Sequence, residues 1–364
     1  MLSRRLADVL SVAPAGSHCE ELSITIDGEP SKALNYVSLT GKVSPGDRVI
    51  VNTTAVELGL GSGGYHFVLL NIKHSEQVLS GVGHILKLRY TPLQLRVLSV
   101  EEEDSPYHHI MAQAATLAGM PVAVAELHSM LAPFALLLKQ EKPGIRLAYL
   151  MTDGGALPAF FSRSLCELRR QELICGTITT GHSFGGDLEA INVYSGLLAA
   201  RHVLHADAVI ISMGPGAAGT GTKYGFSGLE TGDNINRVSC LNGQAVMVCR
   251  VSFADARERH KGISHHTLTA LGTAALVSAH VPLPLLAAAE NRFLEAQLKG
   301  AGLSDKHGIF YYDQLSLKIL AEYRHFCSTM GRSPEDDSAF FLAVAAAARH
   351  LSGLLTGVSA DGKE

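Results

Sequence analysis

The sequence predicts an α/β protein, in which a small antiparallel β-barrel or sandwich domain precedes a doubly wound, mostly parallel, Rossmann-like sheet. Residues 1–100 alternate apolar and polar side chains with period two between short turns, which is typical of an antiparallel barrel or sandwich. From residue 105 onward, strand-like and helix-like segments alternate, which indicates β-α-β units with right-handed crossovers. The chain is 364 residues long, 47% hydrophobic and only 18% charged, as expected for a sheet covered by helices on both faces. We therefore expect a β-barrel-like accessory domain at 1–100 and an α/β domain at 105–364 that carries the functional site.

The period-two alternation places strands in the N-terminal domain at 22–26, 33–39, 48–51, 65–72, 84–90 and 93–100. A Ser-Pro-Gly-Asp turn at 44–47 leads into one of them. The glycine-rich stretch 59–64 has the letters of a dinucleotide fingerprint, but no helix follows it, which favours a flexible loop. The first fifteen residues resemble a signal peptide; Asp8 interrupts their short apolar segment, so we expect no export.

An acidic segment at 101–106 marks the change from period two to helical period and is the predicted linker. Strands are expected at 122–126, 145–151, 173–179, 208–213 and 245–251, with 309–312 as an edge strand. Helices are expected at 108–118, 130–140, 157–171, 187–204, 226–241, 264–279, 291–298, 314–330 and 335–351.

Charge, cysteine spacing and hydropathy exclude several classes of protein. A net charge of −4 and a pI near 6.5 give no basic face for nucleic acid. The six cysteines form no C-x-x-C pair, which indicates reduced thiols in a cytoplasmic protein. The apolar stretch 271–286 is interrupted by His280 and two prolines, so we expect no transmembrane segment. The high hydrophobic content favours a homodimer.

Several long motifs occur in one order along the chain. They are VSPGDRVIVNTTAVELGLGSGGYHF at 43–67, GHILKLRY at 83–90, MTDGGALP at 151–158, GHSFGGD at 181–187 and MGPGAAGTGTKYGFS at 213–227. Together they resemble domain-of-unknown-function family 3866, a family of uncharacterised bacterial proteins, over nearly the whole chain. The resemblance implies no reaction, cofactor or metal, so function has to be argued from the residues.

Four loops are expected along the carboxyl edge of the sheet, at 152–155, 181–187, 214–223 and 252–266. Open α/β sheets bind ligands at this edge, so converging polar and glycine-rich loops predict a ligand site, with Gly154 and Gly181 among its walls. Short βα loops are also polar and glycine-rich for purely structural reasons, and this alternative stays open.

The GHSFGGD segment has the G-x-S-x-G pattern of a nucleophile elbow, with Ser183 as the nucleophile. Asp207 or Asp255 and then a histidine follow in the order that a serine hydrolase requires. Asp187 and Glu189 count against this reading, because carboxylates at the start of the following helix would oppose an oxyanion. A small residue in a tight turn is the alternative.

The third loop matches G-x-G-x-x-G with Gly214, Gly216 and Gly219, and the hydroxyls and charge that follow would suit an anion. Pro215 lacks an N–H group, which argues against a dinucleotide site. The donors that follow the glycines are Thr220, Thr222 and Lys223.

The fourth loop is rich in basic residues, which would bind a phosphate or carboxylate or else form a solvated basic loop. The residues are Arg257, Arg259, His260, His265 and His266. Oxygen and nitrogen ligands on the first two loops offer a divalent metal set, with helix capping as the alternative role. These ligands are Asp153, His182, Asp187 and Glu189.

Three functions remain open at this stage. The first is an intracellular enzyme that binds a small phosphorylated or otherwise anionic metabolite at the strand ends, with Asp153, His182, Ser183, Asp187 and His265 as catalytic candidates. The second is a serine hydrolase that uses Ser183. The third is a non-catalytic ligand-binding or assembly protein.

Overall fold

The computed structural model describes residues 1–16, 18–79 and 81–356, in two units, Met1–Val97 and Leu98–Glu364. The first unit contains strands β1 (Arg4–Pro14), β2 (Cys19–Ile26), β3 (Glu29–Tyr36), β4 (Arg48–Asn52) and β5 (His66–Asn71), one-turn helices α1 (Val37–Thr40) and α2 (Thr54–Glu57), and a hairpin of β6 (Ile85–Lys87) and β7 (Leu95–Val97). The first five strands close into a barrel in the order β1-β2-β3-β5-β4, antiparallel except for the β3–β5 pair. The predicted barrel is confirmed.

Period-two alternation explains the barrel interior. Leu22 and Ile24 on β2, like Val49 and Val51 on β4, are almost fully buried and face the same core. The segment Arg4–Pro14, which resembles a signal peptide in sequence, is the longest strand of the barrel and pairs with both β2 and β4.

The second unit contains an eight-stranded sheet in which every recorded pairing is parallel. Its strands are β8 (Pro121–Ala125), β9 (Leu147–Thr152), β10 (Gly176–Thr180), β11 (Leu188–Ala190), β12 (Ala208–Met213), β13 (Gln244–Val248), β16 (His280–Pro284) and β17 (Gly308–Tyr312). Their order is β11-β10-β9-β12-β8-β13-β16-β17, with a separate two-stranded ribbon of β14 (Val251–Ser252) and β15 (Gly262–Ile263). The predicted doubly wound sheet is confirmed.

Helices cover both faces of the sheet, which explains why its central strands are apolar along their whole length. One face is covered by α3 (His108–Gln113), α6 (Val193–His202), α7 (Glu230–Cys240), α8 (His265–Thr269) and α9 (Ala288–Gly300). The other is covered by α4 (Leu131–Glu141), α5 (Arg163–Arg170) and most of α10 (Ser338–Thr356).

Strand order creates a crevice beside the central strand β8. The chain leaves β8 toward α4 on one face of the sheet, whereas it leaves the neighbouring strand β12 toward α7 on the other face. Connections that depart in opposite directions leave an opening between the carboxyl ends of the two strands, and open sheets bind ligands at such points.

Helix α10 is the most apolar helix in the second unit. Its length and composition alone would allow it to cross a membrane, with a mean hydropathy of 1.5. Phe340, Phe341 and Val344 are buried against the sheet, however, and 61% of the apolar window lies inside the protein. Packing in the core therefore accounts for its composition.

Several predicted helices are wrong in extent, among them 108–118, which ends at Gln113, and 157–171, which is α-helical only at Arg163–Arg170. Three others differ more. The segment 187–204 begins with the short strand β11, and its helix starts only at Val193, where the Asn192 side chain accepts a hydrogen bond from the Ser195 backbone N–H. The segment 264–279 shortens to α8 followed by a π-helical turn at Ala270–Ala274. Residues 314–330 contain only the 3₁₀ helix Lys318–Tyr323.

Strand β16 was not predicted from the sequence, because it contains two prolines. Proline cannot donate to a strand ladder, and β13 and β16 share a single register pair, Val246 with His280. The edge strand predicted at 309–312 is confirmed as β17.

Candidate functional site

The loops that follow β8, β12 and β13 enclose a cavity of about 150 Å³ at the carboxyl edge of the sheet. We call it the arginine–histidine cavity. Its volume is below the roughly 300–1,000 Å³ that is usual for drug-sized ligands, so it suits a small ligand or the reactive end of a larger one. The cavity is lined by Glu126, Leu127, Ala217, Ala218, Gly219, Gly221, Gly228, Arg250, Arg257, Arg259, His260, His266 and Met330.

Glu126 anchors the floor of the cavity. It follows the last residue of β8 directly and is only 1% exposed. Its Oε1 lies 2.9 Å from His266 Nδ1 and 3.4 Å from an Arg250 guanidinium nitrogen, and its Oε2 accepts a hydrogen bond of 2.9 Å from Thr267 Oγ1. Burial acts to raise the pKa of Glu126, but these partners outweigh it and hold the pKa below its ordinary value. The carboxylate is therefore charged at neutral pH.

Arg250 links Glu126 to a second buried carboxylate. Its side chain is 4% exposed, and it also contacts Asp255 at 3.2 Å. Asp255 in turn binds Arg257 at 2.8 Å, and this hydrogen bond is the largest cause of its lowered pKa. Arg332 also approaches Asp255, at 3.6 Å, and pairs with Asp337 at 3.0 Å, so three carboxylates balance three guanidinium groups in this network.

Arg259 supplies a positive charge beside the cavity that the carboxylates of Glu126 and Asp255 do not neutralise. It forms no ion pair with a carboxylate in the described part of the chain, and its guanidinium lies beside Gly221, 3.9 Å from where a β-carbon on that glycine would stand. Arg259 is exposed to solvent, but its unmatched guanidinium also lines the cavity and would attract an anion there.

Three histidines meet at one side of the cavity. His260 ends a 3₁₀ helix, and His265 and His266 open α8, with ring centroids 4.3–5.2 Å apart. The ring of Phe226 stacks on His266 at 3.9 Å and fixes its plane. Burial and the positive charges of Arg250 and Arg257 lower the pKa of His260 to about 3, and burial also lowers the pKa of His265. Both rings are neutral at neutral pH.

The glycine-rich loop after β12 forms the opposite wall. Gly214 must be glycine, because a β-carbon there would stand 2.2 Å from the Ala156 carbonyl oxygen. Thr220 and Thr222 hydrogen-bond to each other and to Gly225, so their hydroxyls close the loop on itself. Of the predicted ligand residues in this loop, Gly219 lines the cavity, whereas Gly214, Gly216, Thr220, Thr222 and Lys223 do not.

A second cavity, of about 320 Å³, lies at the ends of β9 and β10. Asp153 and Gly181 line it, together with Glu230 and Arg237 from α7, and Gly154 packs against the Glu230 carboxyl group. Burial and the negative charge of Asp153 raise the pKa of Glu230 to about 6, against the lowering effect of a hydrogen bond from Thr152. The predicted loops therefore do not form one pocket: they divide between two.

The structure contradicts the nucleophile-elbow interpretation of Ser183. The side chain is 0% exposed, and its Oγ donates to the Met151 and Thr180 carbonyl oxygens, at 2.9 and 2.7 Å. A nucleophile needs an exposed Oγ next to a base, whereas this hydroxyl braces the turn.

The metal set predicted on the first two loops is also not assembled, because its carboxylates bind separate partners. Asp153 accepts the His182 backbone N–H at 2.9 Å, Asp187 accepts the Thr177 backbone N–H at 2.8 Å, and Glu189 accepts the Gly185 backbone N–H at 2.7 Å. Asp187 and Glu189 are also not at a helix start, so the argument that they oppose an oxyanion there was wrong.

Sequence reasoning missed four polar side chains, Glu126, Arg250, Glu230 and Arg237. One feature of the sequence could have identified two of them. Glu126 and Arg250 each follow an almost wholly apolar strand, and a charged side chain at such a buried position needs a partner. No pattern in the sequence marks Glu230 or Arg237.

Comparison with known proteins gives a family but no activity. The family model described as "Protein of unknown function (DUF3866)" matches residues 32–348. Neither a curated protein nor a solved structure gives a significant match to the chain.

Proposed function

Because the chain belongs to the DUF3866 family, whose function is unknown, its activity has to be inferred from the site, and we propose that it is an enzyme acting on a small anionic molecule bound in the arginine–histidine cavity. One observation carries the proposal: unmatched Arg259 and the neutral ring of His260 face the same cavity at the switch point of the sheet. The guanidinium supplies charge for binding. The neutral imidazole of His260, whose pKa is lowered to about 3, is too weak a base for proton transfer near neutral pH, and supplies a nitrogen atom for coordination or hydrogen bonding.

The balance of charged side chains around the cavity supports an anion as the ligand. The carboxylates of Glu126, Asp255 and Asp337 already balance the three guanidinium groups that they contact, so an added anion would meet the charge of Arg259. The limited volume favours a phosphate, a phosphate ester or a small carboxylate.

Calorimetric titration with inorganic phosphate, pyrophosphate, sugar phosphates and dicarboxylates tests the binding step. We expect at least one of these probes to bind, and R259A to weaken that binding by about 10-fold or more, the equivalent of about 1.4 kcal/mol. K223A is the matched control, since Lys223 is a cation of the neighbouring loop that does not line the cavity. The proposal fails if none of these probes binds, or if both variants weaken binding equally.

Mass spectrometry of the bound probe after incubation with the protein tests the catalytic step. Conversion that is lost in R259A supports an enzyme. Tight binding without conversion of any probe would contradict catalysis and favour a ligand-binding protein instead.

A further inference from the structure

The histidine cluster has the composition and geometry of a metal site. His260, His265 and His266 each offer one ring nitrogen, and these three atoms lie within 4.8 Å of one another. Zinc bound tetrahedrally at about 2.0–2.1 Å would need nitrogen atoms about 3.4 Å apart. The ring nitrogens would therefore need to move by only about 1 Å, through side-chain rotation, to bind one ion together.

Hydrogen bonds at Nδ1 of two of the rings leave Nε2 without a protein partner. His266 Nδ1 is held by Glu126 at 2.9 Å and His260 Nδ1 by Ser264 Oγ at 2.8 Å, and in both rings Nε2 makes no hydrogen bond within the described residues. A carboxylate behind a histidine is the usual support of a metal ligand, because it fixes the ring and raises its basicity.

An unpartnered buried nitrogen supplies an independent observation. His265 Nε2 is buried and has no hydrogen-bond partner in the described part of the chain. Buried polar atoms are normally hydrogen-bonded, so a buried nitrogen without a protein partner, beside two other imidazoles, is suited to bind a metal ion.

We propose that His260, His265 and His266 bind one divalent transition-metal ion of the zinc class, with a fourth coordination position that opens into the arginine–histidine cavity. Three imidazoles with an open position are one of the ligand sets of catalytic zinc sites. Both His260 and His266 line the cavity, so the open position faces Arg259 and the glycine-rich loop. Glu126, which lies 2.9 Å from His266 Nδ1, places a carboxylate directly behind one of the three ligands. Only the nature of the fourth ligand, an oxygen of the anion or a water beside it, rests on the proposed function.

Metal titration of the full-length, tag-free protein tests the site. After removal of bound metal with a chelator, Zn²⁺ is titrated in competition with a chromophoric chelator, and Co²⁺ is titrated while its visible absorption is recorded. We expect one ion per chain, and Co²⁺ bands typical of a four-coordinate site with three nitrogen ligands and one oxygen ligand.

Variants identify the ligands. H265A and H266A should lower Zn²⁺ affinity by more than about 100-fold, and E126Q by about 10–100-fold. The control is H280A, because His280 belongs to a separate histidine pair with His350, at 2.6 Å, and should leave affinity unchanged. Circular dichroism checks that each variant is folded; H265N, a smaller change, must show the same loss if H265A is not folded.

The outcomes separate the metal site from the proposed function. R259A should weaken phosphate binding and leave Zn²⁺ affinity unchanged or slightly higher, because it removes a positive charge. The metal proposal is overturned if the stripped protein takes up no stoichiometric Zn²⁺, or if uptake survives in H265A and H266A. Either result leaves the anion titration of the unmetallated protein as an intact test of the proposed function.

Discussion

Replacement of Glu126 by glutamine should destabilise the C-terminal unit by about 3 kcal/mol. Glutamine keeps the volume of the side chain, but it removes the charge that faces Arg250 at 3.4 Å in a site where both side chains are at most 4% exposed. Loss of one partner from a buried ion pair costs about 3–5 kcal/mol. We expect the lower end of this range, because Arg250 keeps Asp255 at 3.2 Å.

Urea unfolding followed by far-ultraviolet circular dichroism measures this change. The long helices all lie in the C-terminal unit, so the helical signal reports on that unit. Glu335→Gln is the matched control, since it makes the same substitution in an exposed pair with Arg324, and exposed pairs contribute about 0–1 kcal/mol.

The pH dependence gives a second check on Glu126. Its pKa is lower in the folded protein than the ordinary 4.5, so the carboxylate stabilises the fold above pH 4.5, and this contribution is lost as the pH falls through the lower, folded-state pKa. The difference between wild type and E126Q should therefore be largest near pH 7 and shrink below pH 4.5. Equal losses in E126Q and E335Q, or a difference that does not change with pH, would refute the reasoning.

Three further predictions concern the neighbouring loops. G214A should destabilise the protein by about 2–4 kcal/mol, measured by thermal melts, because the new methyl group would meet the backbone at 2.2 Å. The control is G300A, at the end of α9 with open space around it, which should be neutral or stabilising in the same melts. E230Q should be about 1–2 kcal/mol more stable than wild type at pH 8 and equal to it below pH 4.5. The pKa of Glu230 is raised to about 6 in the folded protein, so the wild-type fold becomes less stable as the pH rises through that value. Urea unfolding midpoints at the two pH values measure the difference. S183A should cost about 1–3 kcal/mol of stability through lost buried hydrogen bonds, and the wild-type protein should not react with a fluorophosphonate probe, so labelling that disappears in S183A would contradict the structural role.

Local patterns were sufficient for the architecture but not for all helix boundaries. Runs such as Pro121–Ala125 and Ala208–Met213 are apolar throughout because helices cover both sides of the strand, and this pattern is visible in sequence. The segment after GHSFGGD has no such signal: Leu188–Ala190 becomes an edge strand because it can pair with Ile178–Thr180, a tertiary contact that outweighs its helical composition.

The candidate site was predicted in part. Arg257, Arg259, His260, His265 and His266 stand out because basic residues are concentrated in one loop. The role of Ser183 stayed open in the sequence, because the letters of a turn do not reveal whether a hydroxyl points to solvent or to its own backbone. The Ser183 hydroxyl is held inward in part by the carbonyl oxygen of Met151, which belongs to the neighbouring strand β9.

By itself, the sequence determined the two kinds of domain, the parallel sheet and the edge at which the loops gather, since hydrophobic period and turn residues act over short stretches of chain. Only the tertiary structure decided which loops share a cavity. The placement of β12 between β9 and β8 separates Asp153 from the histidines. The pairing of β13 with β8 brings Glu126 to Arg250 and His266, which lie 124 and 140 residues away in sequence. A buried carboxylate is stabilised by the charges and donors that surround it in space, and no local pattern specifies those partners.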